Sequence, residues 1–329
     1  MKDSPITSTV NFELDGVQHG FIKLPHSHDD SAWGSIVIPI TIAKNGKGPT
    51  ILLTGANHGD EYEGPIALFD LANQIKADEL SGRVIIIPGM NYPAFKAGRR
   101  TSPIDGGNMN RVFPGNPEGT FTEKIADYFN RTLLPMADYV VDFHSGGKTL
   151  DFLPFCCAHV LDDKTQQEKC VAAMKAFNAP HSVMLLEIDA VNMYDTAAEN
   201  MGKVFISTEL GGGGSTTAYT VEIAKKGIRN ILCHAGITKG DLEVDETLNL
   251  DMPDDNCYIF SESTGLVEHC VDLGDEVKAG QLVAKVHNIE RTGTPPEEYH
   301  AKIDGIFTGK HFPGLVVNGD FLGVIAVPV

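Results

Sequence analysis

Hydrophobic runs of strand length alternate with amphipathic stretches along the first 245 residues of this 329-residue chain. Six apolar runs predict buried strands at 35–43, 50–55, 83–89, 139–144, 182–187 and 203–209. Three stretches with apolar residues at helical spacing predict helices at 64–75, 119–134 and 217–237. Because strands alternate with helices, the pattern predicts an α/β fold: a mixed, mostly parallel sheet flanked by helices.

The pattern changes near residue 245. Segment 243–256 is acidic, contains a proline and is typical of a linker. Short β-type runs broken by Gly and Asp follow it, at 265–288 and 303–327. The pattern therefore predicts two domains, 1–245 and 246–329, the second small and all-β. We expect this second domain to pack at the mouth of a site or at an oligomer contact.

Composition and charge exclude some classes of function. The chain carries 44 acidic and 26 basic residues, a formal net charge of -18, which argues against a nucleic-acid surface. A small cationic substrate is compatible with this charge, although acidity by itself mainly favours solubility. The chain has neither a signal-like N-terminus nor a run of about 18 apolar residues, so a cytoplasmic protein without a membrane contact is expected. Six cysteines without a CxxC pair are expected to be reduced core residues.

Chemically useful side chains stand where three predicted strands end. His58 follows the strand at 50–55, His144 ends the strand at 139–144, and Glu209 ends the strand at 203–209. Open α/β sheets bind ligands at the carboxyl ends of their strands. Any one of these residues alone could be an ordinary core or surface residue, but three at one sheet edge indicate a site.

His58 and Glu61 are spaced to share one face of a helical turn, so both side chains can reach one point. Catalytic zinc is commonly held by three such ligands with one position left open for water. The sequence therefore predicts a metal site formed by His58, Glu61 and His144, with Zn²⁺ as the cofactor, one per subunit. Glu209 is the candidate that takes a proton from water and later delivers it to a leaving group.

Two glycine-rich stretches have other interpretations. "GGGG" at 211–214 predicts either close backbone packing around the site or a flexible loop, and it lacks the context of a dinucleotide fingerprint. "GGKT" at 146–149 is not a phosphate-binding loop, because Asp142 stands where that motif needs glycine. Asp142 could instead orient a ligating histidine, or it could be an ordinary buried carboxylate.

Three arginines lie in the loop at 98–119, which is otherwise rich in Gly, Pro and Asn: Arg99, Arg100 and Arg111. Such loops are commonly surface segments. Arginine, however, can clamp a carboxylate through two hydrogen bonds and can stabilise a developing oxyanion. The loop is therefore a candidate for substrate binding.

Four ordered motifs resemble the succinylglutamate desuccinylase/aspartoacylase family of the zinc carboxypeptidase superfamily. They are "NHGDEYEG", "RTSPIDGGNMNRVFPG", "VVDFHSGG" and "STELGG", and the C-terminal β region is also similar to that family's second domain. The resemblance implies zinc ligands at His58, Glu61 and His144, and a general base and acid at Glu209. It further implies that Arg100 polarises the scissile carbonyl and that Asn110 and Arg111 hold the substrate's free carboxylate.

One position departs from the family pattern, since Asn108 stands where many members have Asp. Within the family, "DGVQHGF", "DDSAWGSIVIPI" and "GANHGDEYEGPIALFDLA" resemble the subgroup that deacetylates N-acetyl-diaminobutyrate in ectoine breakdown. The resemblance thus implies a zinc-dependent amidohydrolase acting on a small N-acyl amino acid. A desuccinylase, an aspartoacylase-type deacylase, a small carboxypeptidase and a non-catalytic binding protein remain alternatives, and a homo-oligomer is one option for assembly.

Overall fold

The computed structural model describes residues 3–187 and 189–329. Its strands are β1 Thr7–Ser8, β2 Gly16–Pro25, β3 Ser35–Asn45, β4 Thr50–Gly55, β5 Gly82–Ile87, β6 Tyr139–His144, β7 Leu150–Phe152, β8 Phe155–His159, β9 His181–Leu185, β10 Val204–Glu209, β11 Leu248–Asp251, β12 Tyr258–Phe260, β13 Gly265–His269, β14 Glu276–Val277, β15 Leu282–His287, β16 Glu297–His300, β17 Gly305–His311, β18 Leu315–Val316 and β19 Phe321–Pro328. Its α-helices are α1 Glu63–Gln74, α2 Tyr92–Ala97, α3 Phe121–Tyr128, α4 Leu134–Met136, α5 Lys164–Phe177, α6 Tyr194–Asn200 and α7 Ala218–His234. A π-helical turn, Phe129–Leu133, joins α3 to α4, and short 3₁₀ helices lie at Ala77–Glu79, Met109–Arg111 and Asp255–Cys257.

A large mixed sheet organises the chain, in the order β1-β2-β3-β5-β4-β6-β10-β8-β9-β11-β19-β17-β14. Its central strands β5, β4, β6 and β10 are parallel to one another. Antiparallel pairs begin on either side, at β3 with β5 and at β8 with β10. The predicted α/β class with a mixed sheet is confirmed; parallel pairs form the centre and recur at β8–β9–β11, and antiparallel pairs complete the sheet. The parallel centre brings the carboxyl ends of β4, β6 and β10 to the same edge.

All six predicted strands are present as β3, β4, β5, β6, β9 and β10, with two of them, 50–55 and 139–144, at their predicted bounds. The three predicted helices are also present. Helix α3 begins with the capping box that its sequence indicates: the Glu123 N–H donates to Thr120 Oγ1 at 3.3 Å, and the Thr120 N–H donates to Glu123 Oε2 at 2.6 Å. Strand β2 and helix α5 are further elements that the apolar pattern did not single out.

Two apolar cores lie on opposite faces of the central sheet. On one face, strand residues such as Leu53 and Ile206 pack with residues of α1, α5 and α7, among them Leu68 and Ile228. On the other face, residues of β2, β3 and β5 pack with α3, the π-helical turn and α6. The central strands are buried on both faces, which explains why their sequences are continuous apolar runs rather than alternating ones.

The C-terminal region from 246 contains strands and one 3₁₀ helix among its described elements. β13, β15, β16 and β18 form a separate antiparallel sheet. β11, in contrast, pairs in parallel with β9 and antiparallel with β19, so the large sheet continues across residue 245. The division into 1–245 and 246–329 stays a prediction.

The cysteine prediction holds for four residues and is wrong for two. All six cysteines are free, and Cys156, Cys157, Cys170 and Cys257 are buried. Cys233, in the last turn of α7, is half-buried, and Cys270, just after β13, is exposed. Among the described residues, none of the helices has the length and apolar character needed to span a bilayer.

Candidate metal centre and active site

The three strand ends that the sequence singles out meet at one place. β6 lies between β4 and β10, and Glu209 is directly opposite His144 in the register of the parallel pair β6–β10. His58 lies just beyond β4, in the turn that leads into α1. The parallel centre of the sheet therefore positions all three residues at its carboxyl edge.

His58, Glu61 and His144 form one compact cluster. Glu61 Oε1 lies 2.8 Å from His58 Nδ1, and Glu61 Oε2 lies 3.0 Å from His144 Nδ1. One potential ligand atom from each residue lies within 4.8 Å of the others. Two imidazole nitrogens and a carboxylate are a donor set that suits zinc, so the cluster fits the metal that the sequence predicts.

The opposite nitrogen of His144 is held by a carboxylate. Asp142 Oδ2 accepts a hydrogen bond from His144 Nε2 at 2.7 Å and another from Asn57 Nδ2 at 2.9 Å. Its other oxygen accepts from Thr54 Oγ1 at 2.7 Å. Because a carboxylate so placed accepts only, the Nε2 of His144 carries a proton and its Nδ1 faces Glu61 with a lone pair available to a metal. Asp142 is therefore placed to fix the orientation of the His144 ring.

Asn108, which stands where many family members have Asp, holds the ring of His58 as Asp142 holds that of His144. Asn108 Oδ1 lies 3.2 Å from His58 Nε2 and also accepts from the backbone N–H of Asn110 at 3.1 Å. The amide oxygen can therefore fix the His58 ring without adding a negative charge. The hydrogen bond that an Asp would make is retained, and the charge is lost.

The electrostatics of the cluster favour a neutral His58, an ionised Glu61 and a positive charge beside the carboxylates. Burial lowers the pKa of His58, so a neutral ring is favoured. Burial raises the pKa of Glu61, but His58 and His144 outweigh it and hold this pKa well below its usual range. Burial also lowers the pKa of His144, but Asp142 and Glu61 raise it more strongly. A proton or a metal cation can supply the positive charge that these two carboxylates favour.

Replacing Asp142 with Asn should weaken zinc binding by roughly 10–100-fold, the usual contribution of a partner that orients a metal-bound histidine. The amide could donate to His144 Nε2 and so stabilise the wrong tautomer. A competition titration with a chromophoric zinc chelator measures the change. Asp138→Asn is the matched control, because Asp138 precedes the same strand and accepts from the Thr50 N–H at its other end. Equal zinc affinity in both variants would contradict the role of Asp142.

Gly59 permits the close backbone approach on which the turn between His58 and Glu61 depends. A Cβ at Gly59 would lie 2.0 Å from the carbonyl carbon of Ala94. Gly59→Ala should therefore reduce the free energy of unfolding by about 1–3 kcal/mol or more through overpacking and should reduce zinc content. Thermal unfolding and metal analysis test this. Gly314→Ala, whose Cβ would meet only Leu266 Cδ1 at 3.5 Å, should change neither.

Glu209 lies beside the cluster with one oxygen unpaired. Within the described residues, Glu209 Oε2 is buried and has no hydrogen-bond partner. Burial raises the pKa of Glu209 to about 8, and the charge of Glu61 adds to this, while His144 and Arg100 oppose it. A carboxyl group with a pKa near neutrality can both accept and deliver a proton.

The glycine run that follows Glu209 packs closely against the segment after His144. The Gly211 carbonyl accepts from the Gly146 N–H at 2.9 Å, and the Gly213 N–H donates to the Leu150 carbonyl at 3.0 Å. A Cβ at Gly212 would lie 2.0 Å from that Leu150 oxygen. Of the two interpretations of this run, close packing is the one observed.

Of the predicted residues in the loop at 98–119, Arg100 contacts the cluster, Arg111 lines a cavity, and Asn110 is buried. Arg100 Nη1 lies 3.3 Å from His58 Nδ1 and 3.8 Å from Glu61 Oε1, with the side chain 44% exposed. Arg111 lines a cavity of about 450 Å³ that Glu209 also lines. Asn110 is buried, and its Oδ1 accepts from the Tyr194 N–H at 3.0 Å. Asn110 therefore also anchors the start of α6.

Sequence reasoning missed Thr54 and Asn57, which hold Asp142 from β4 and from the turn that follows it. Both lie in the "TILLTGANHG" stretch, and this position could have marked them, because polar residues in or beside a buried strand need hydrogen-bond partners. It also missed Glu187, which lines the cavity with Arg111 and Glu209. No local motif marks Glu187.

Comparisons with known proteins agree with this geometry. The succinylglutamate desuccinylase/aspartoacylase catalytic domain matches residues 47–235. The chain is 54% identical over 327 residues to an N-alpha-acetyl-L-2,4-diaminobutyric acid deacetylase from Halomonas elongata, covering 99% of this chain and 96% of that protein.

Two solved structures are similar over the whole chain. The product-bound ectoine utilization protein EutE (DoeB) from Ruegeria pomeroyi is 63% identical, with a TM-score of 0.98, covering 99% of this chain and 100% of that one. A succinylglutamate desuccinylase from Silicibacter is 60% identical, with a TM-score of 0.96 and complete coverage of both chains. The resemblance seen in the sequence motifs is confirmed, and the chain belongs to the succinylglutamate desuccinylase/aspartoacylase family, whose members hydrolyse amide bonds.

Proposed function

We propose that this chain is a zinc-dependent amidohydrolase that removes the acetyl group from N-alpha-acetyl-L-2,4-diaminobutyrate in ectoine breakdown. The observation that carries the proposal is the cluster of His58, Glu61 and His144 beside Glu209, whose Oε2 has no hydrogen-bond partner in the described part of the chain. It occurs in a chain that is 54% identical, over nearly its whole length, to a protein named for this reaction. Water is the second substrate, and acetate and 2,4-diaminobutyrate are the products.

His58, Glu61 and His144 would hold the zinc ion, with Asp142 and Asn108 fixing the two imidazole rings. When bound, zinc supplies Lewis acidity, which polarises an amide carbonyl and lowers the pKa of water towards 7. The ligand residues contribute one negative charge, from Glu61. A cation beside Glu61 would also cancel the repulsion that raises the pKa of Glu209.

Glu209 would move the proton. Its free oxygen accepts a proton from the attacking water, and the same carboxyl group then protonates the leaving amine as the C–N bond breaks. Both transfers need an acid whose pKa is close to the working pH. The buried position of Glu209, next to the cluster and on the wall of the cavity, supports this role.

The arginines would bind charge on the substrate. Arg100 lies beside His58 and Glu61, where its guanidinium can stabilise the oxygen of a carbonyl under attack. Arg111 lines the cavity, where it can clamp the α-carboxylate. Asn110 would contribute by holding the turn that carries Arg111 against the start of α6.

Desuccinylation is the second candidate, because the Silicibacter structure bears that name. A succinyl group adds a second carboxylate to the substrate and so needs a second cationic partner. Among the described residues that line the cavity, Arg111 is cationic and three are acidic: Glu187, Asp189 and Glu209. This balance favours a substrate with one carboxylate and a positive charge over a polyanion.

A substrate panel tests the proposal. Zinc-loaded protein is given N-alpha-acetyl-L-2,4-diaminobutyrate, N-acetyl-aspartate and N-succinyl-glutamate, and the released acetate, succinate and amino acid are quantified. We expect the highest kcat/KM for the diaminobutyrate derivative. Preference for the succinyl substrate would replace the proposal with desuccinylation, and no hydrolysis by a zinc-containing chain would favour a binding protein.

A further inference from the structure

The cavity wall that holds Arg111 and Glu209 also holds Glu187, while most of the remaining lining is apolar, including Phe155 and Leu185. Glu187 lies just after β9, in a segment with no role in the mechanism above. Burial raises the pKa of the Cys157 thiol, and Glu209, Glu187 and Asp195 raise it further. These three carboxylates therefore lie within electrostatic reach of one buried thiol.

Glu187 belongs to a buried cluster with Asp195, His159 and Glu199. Glu187 shares a hydrogen bond with Asp195, and burial followed by the charge of Asp195 raises the pKa of Glu187 to about 8. A carboxyl pair that retains one proton between its members can exchange that proton for another cation. Glu187 is the member of the pair that lines the cavity with Arg111, so a cation in the cavity could take the place of that proton.

His159 shows that this cluster is not a closed network. His159 is 7% exposed, and its Nδ1 pairs with Glu199 Oε1 at 2.8 Å. Within the described residues its buried Nε2 has no hydrogen-bond partner, and it lies 3.9 Å from Glu187 Oε1, beyond hydrogen-bond distance. His159 therefore does not hold the Glu187 carboxylate by a hydrogen bond, and Asp195 is its partner in the cluster.

His159, Glu187 and Asp195 also have metal-like spacing, which makes a second metal ion the rival occupant. Burial lowers the pKa of His159, but its hydrogen bond to Glu199 outweighs burial and raises the pKa to about 9. A metal ion would have to displace that proton, as it would at His144, whose pKa is also raised. An organic ammonium group needs only oxygen acceptors, which Glu187 and Asp195 supply.

We propose that Glu187, supported by Asp195, is the subsite that binds a free ammonium group at the end of the substrate's side chain. This inference rests on the proposed function, because an acetyl group on Nα leaves the 4-amino group free and positively charged. Arg111 would then hold the carboxylate and Glu187 the ammonium, with the amide presented to Glu209. The residues next to Glu187 and Asp195 are held by hydrogen bonds: the Tyr258 hydroxyl donates to the Leu186 carbonyl, and the Tyr194 N–H donates to Asn110 Oδ1.

The test compares two substrates in zinc-loaded wild-type and Glu187→Gln protein: N-alpha-acetyl-2,4-diaminobutyrate and N-acetyl-norvaline, which has a methyl group in place of the ammonium. We expect the wild type to prefer the cationic substrate in kcat/KM by roughly 100-fold, the scale of a buried charge pair. Glu187→Gln should reduce that preference to a few-fold while leaving the rate on N-acetyl-norvaline nearly unchanged. An unchanged preference, or an equal loss on both substrates, would overturn the subsite.

Controls separate the subsite from folding and from the proposed function. Asp189→Asn removes a carboxylate from the same cavity, but Asp189 is exposed, so the preference should change by less than about threefold because solvent screens its charge. If Glu187→Gln does not fold, Glu187→Asp should keep part of the preference, and its complete loss of discrimination would count against the subsite.

Calorimetric binding of 2,4-diaminobutyrate and norvaline provides a readout that does not depend on hydrolysis. Glu187-dependent selectivity in binding without hydrolysis of the acetyl substrate would uphold the subsite and reject the proposed function. Hydrolysis of the acetyl substrate without Glu187-dependent selectivity would uphold the proposed function and reject the subsite. Binding of a second zinc ion that is lost in Glu187→Gln would overturn the ammonium subsite.

Discussion

Glu209→Gln should lower kcat for deacetylation by roughly 10²–10⁴-fold, the range that a general acid and base contributes, while zinc content and KM stay close to the wild type. The glutamine side chain keeps the shape of Glu209 but can neither accept the proton of water nor return it to the leaving amine. Because Glu209 Oε2 has no partner among the described residues, the substitution breaks no hydrogen bond at that oxygen. Initial rates of acetate release and metal analysis on the same preparation measure the effect.

Glu63→Gln is the matched control for that experiment. Glu63 is also a buried glutamate near the sheet edge, and its Oε1 accepts from Thr220 Oγ1 at 3.3 Å. Its side chain is assigned no part in proton transfer, so its loss should change kcat by only a few-fold. Near-normal turnover by the Glu209 variant, or an equal loss in both, would show that another group moves the proton.

Glu61→Gln should release the metal and, with it, nearly all activity. Glu61 is the only carboxylate in the cluster, and its two oxygens contact the Nδ1 atoms of both histidines. Without the charge, zinc affinity should fall by about 10³-fold or more, beyond the 10–100-fold contributed by partners outside the ligand set. Zinc content after dialysis against buffer with a weak chelator, together with the rate of acetate release, measures both losses.

Asp60→Asn is the control for Glu61→Gln. It removes a negative charge from the same turn without removing a proposed zinc ligand. Asp60 is adjacent to Glu61 in the chain, but its Oδ2 accepts from the Lys148 N–H at 3.0 Å, an interaction that an amide oxygen can also make. This variant should keep its zinc. If Glu61→Gln binds zinc as tightly as Asp60→Asn does, Glu61 is not a zinc ligand.

The sequence predicts the location of this site well because strand direction and strand ends are local features. "TILLTG", "YVVDFH" and "KVFISTE" are apolar runs that end in or lead to polar groups, and in parallel strands such ends must share one edge. The hydrophobic pattern does not predict the order of the strands in the sheet, and the structure shows that β6 lies between β4 and β10. That order places His144 between the turn carrying His58 and the end of β10.

Other parts of the molecule depend on contacts between residues far apart in sequence. Helix α5 buries small or flexible residues such as Cys170, Ala173 and Met174, so its apolar face is weak as a pattern. The hydrogen bonds from Thr54 and Asn57 to Asp142 join residues more than 80 positions apart. Glu187, Asp195 and His159 come from three different segments, and no motif links them.

The most direct test of the account is a zinc titration of metal-depleted protein, with acetate release from N-alpha-acetyl-L-2,4-diaminobutyrate as the readout. The cluster of His58, Glu61 and His144 predicts that activity is absent without metal, rises in proportion to added zinc and saturates at about one zinc per chain, in keeping with a three-ligand catalytic site. Full activity in metal-depleted protein, or no acetate release from protein with one bound zinc, would contradict it.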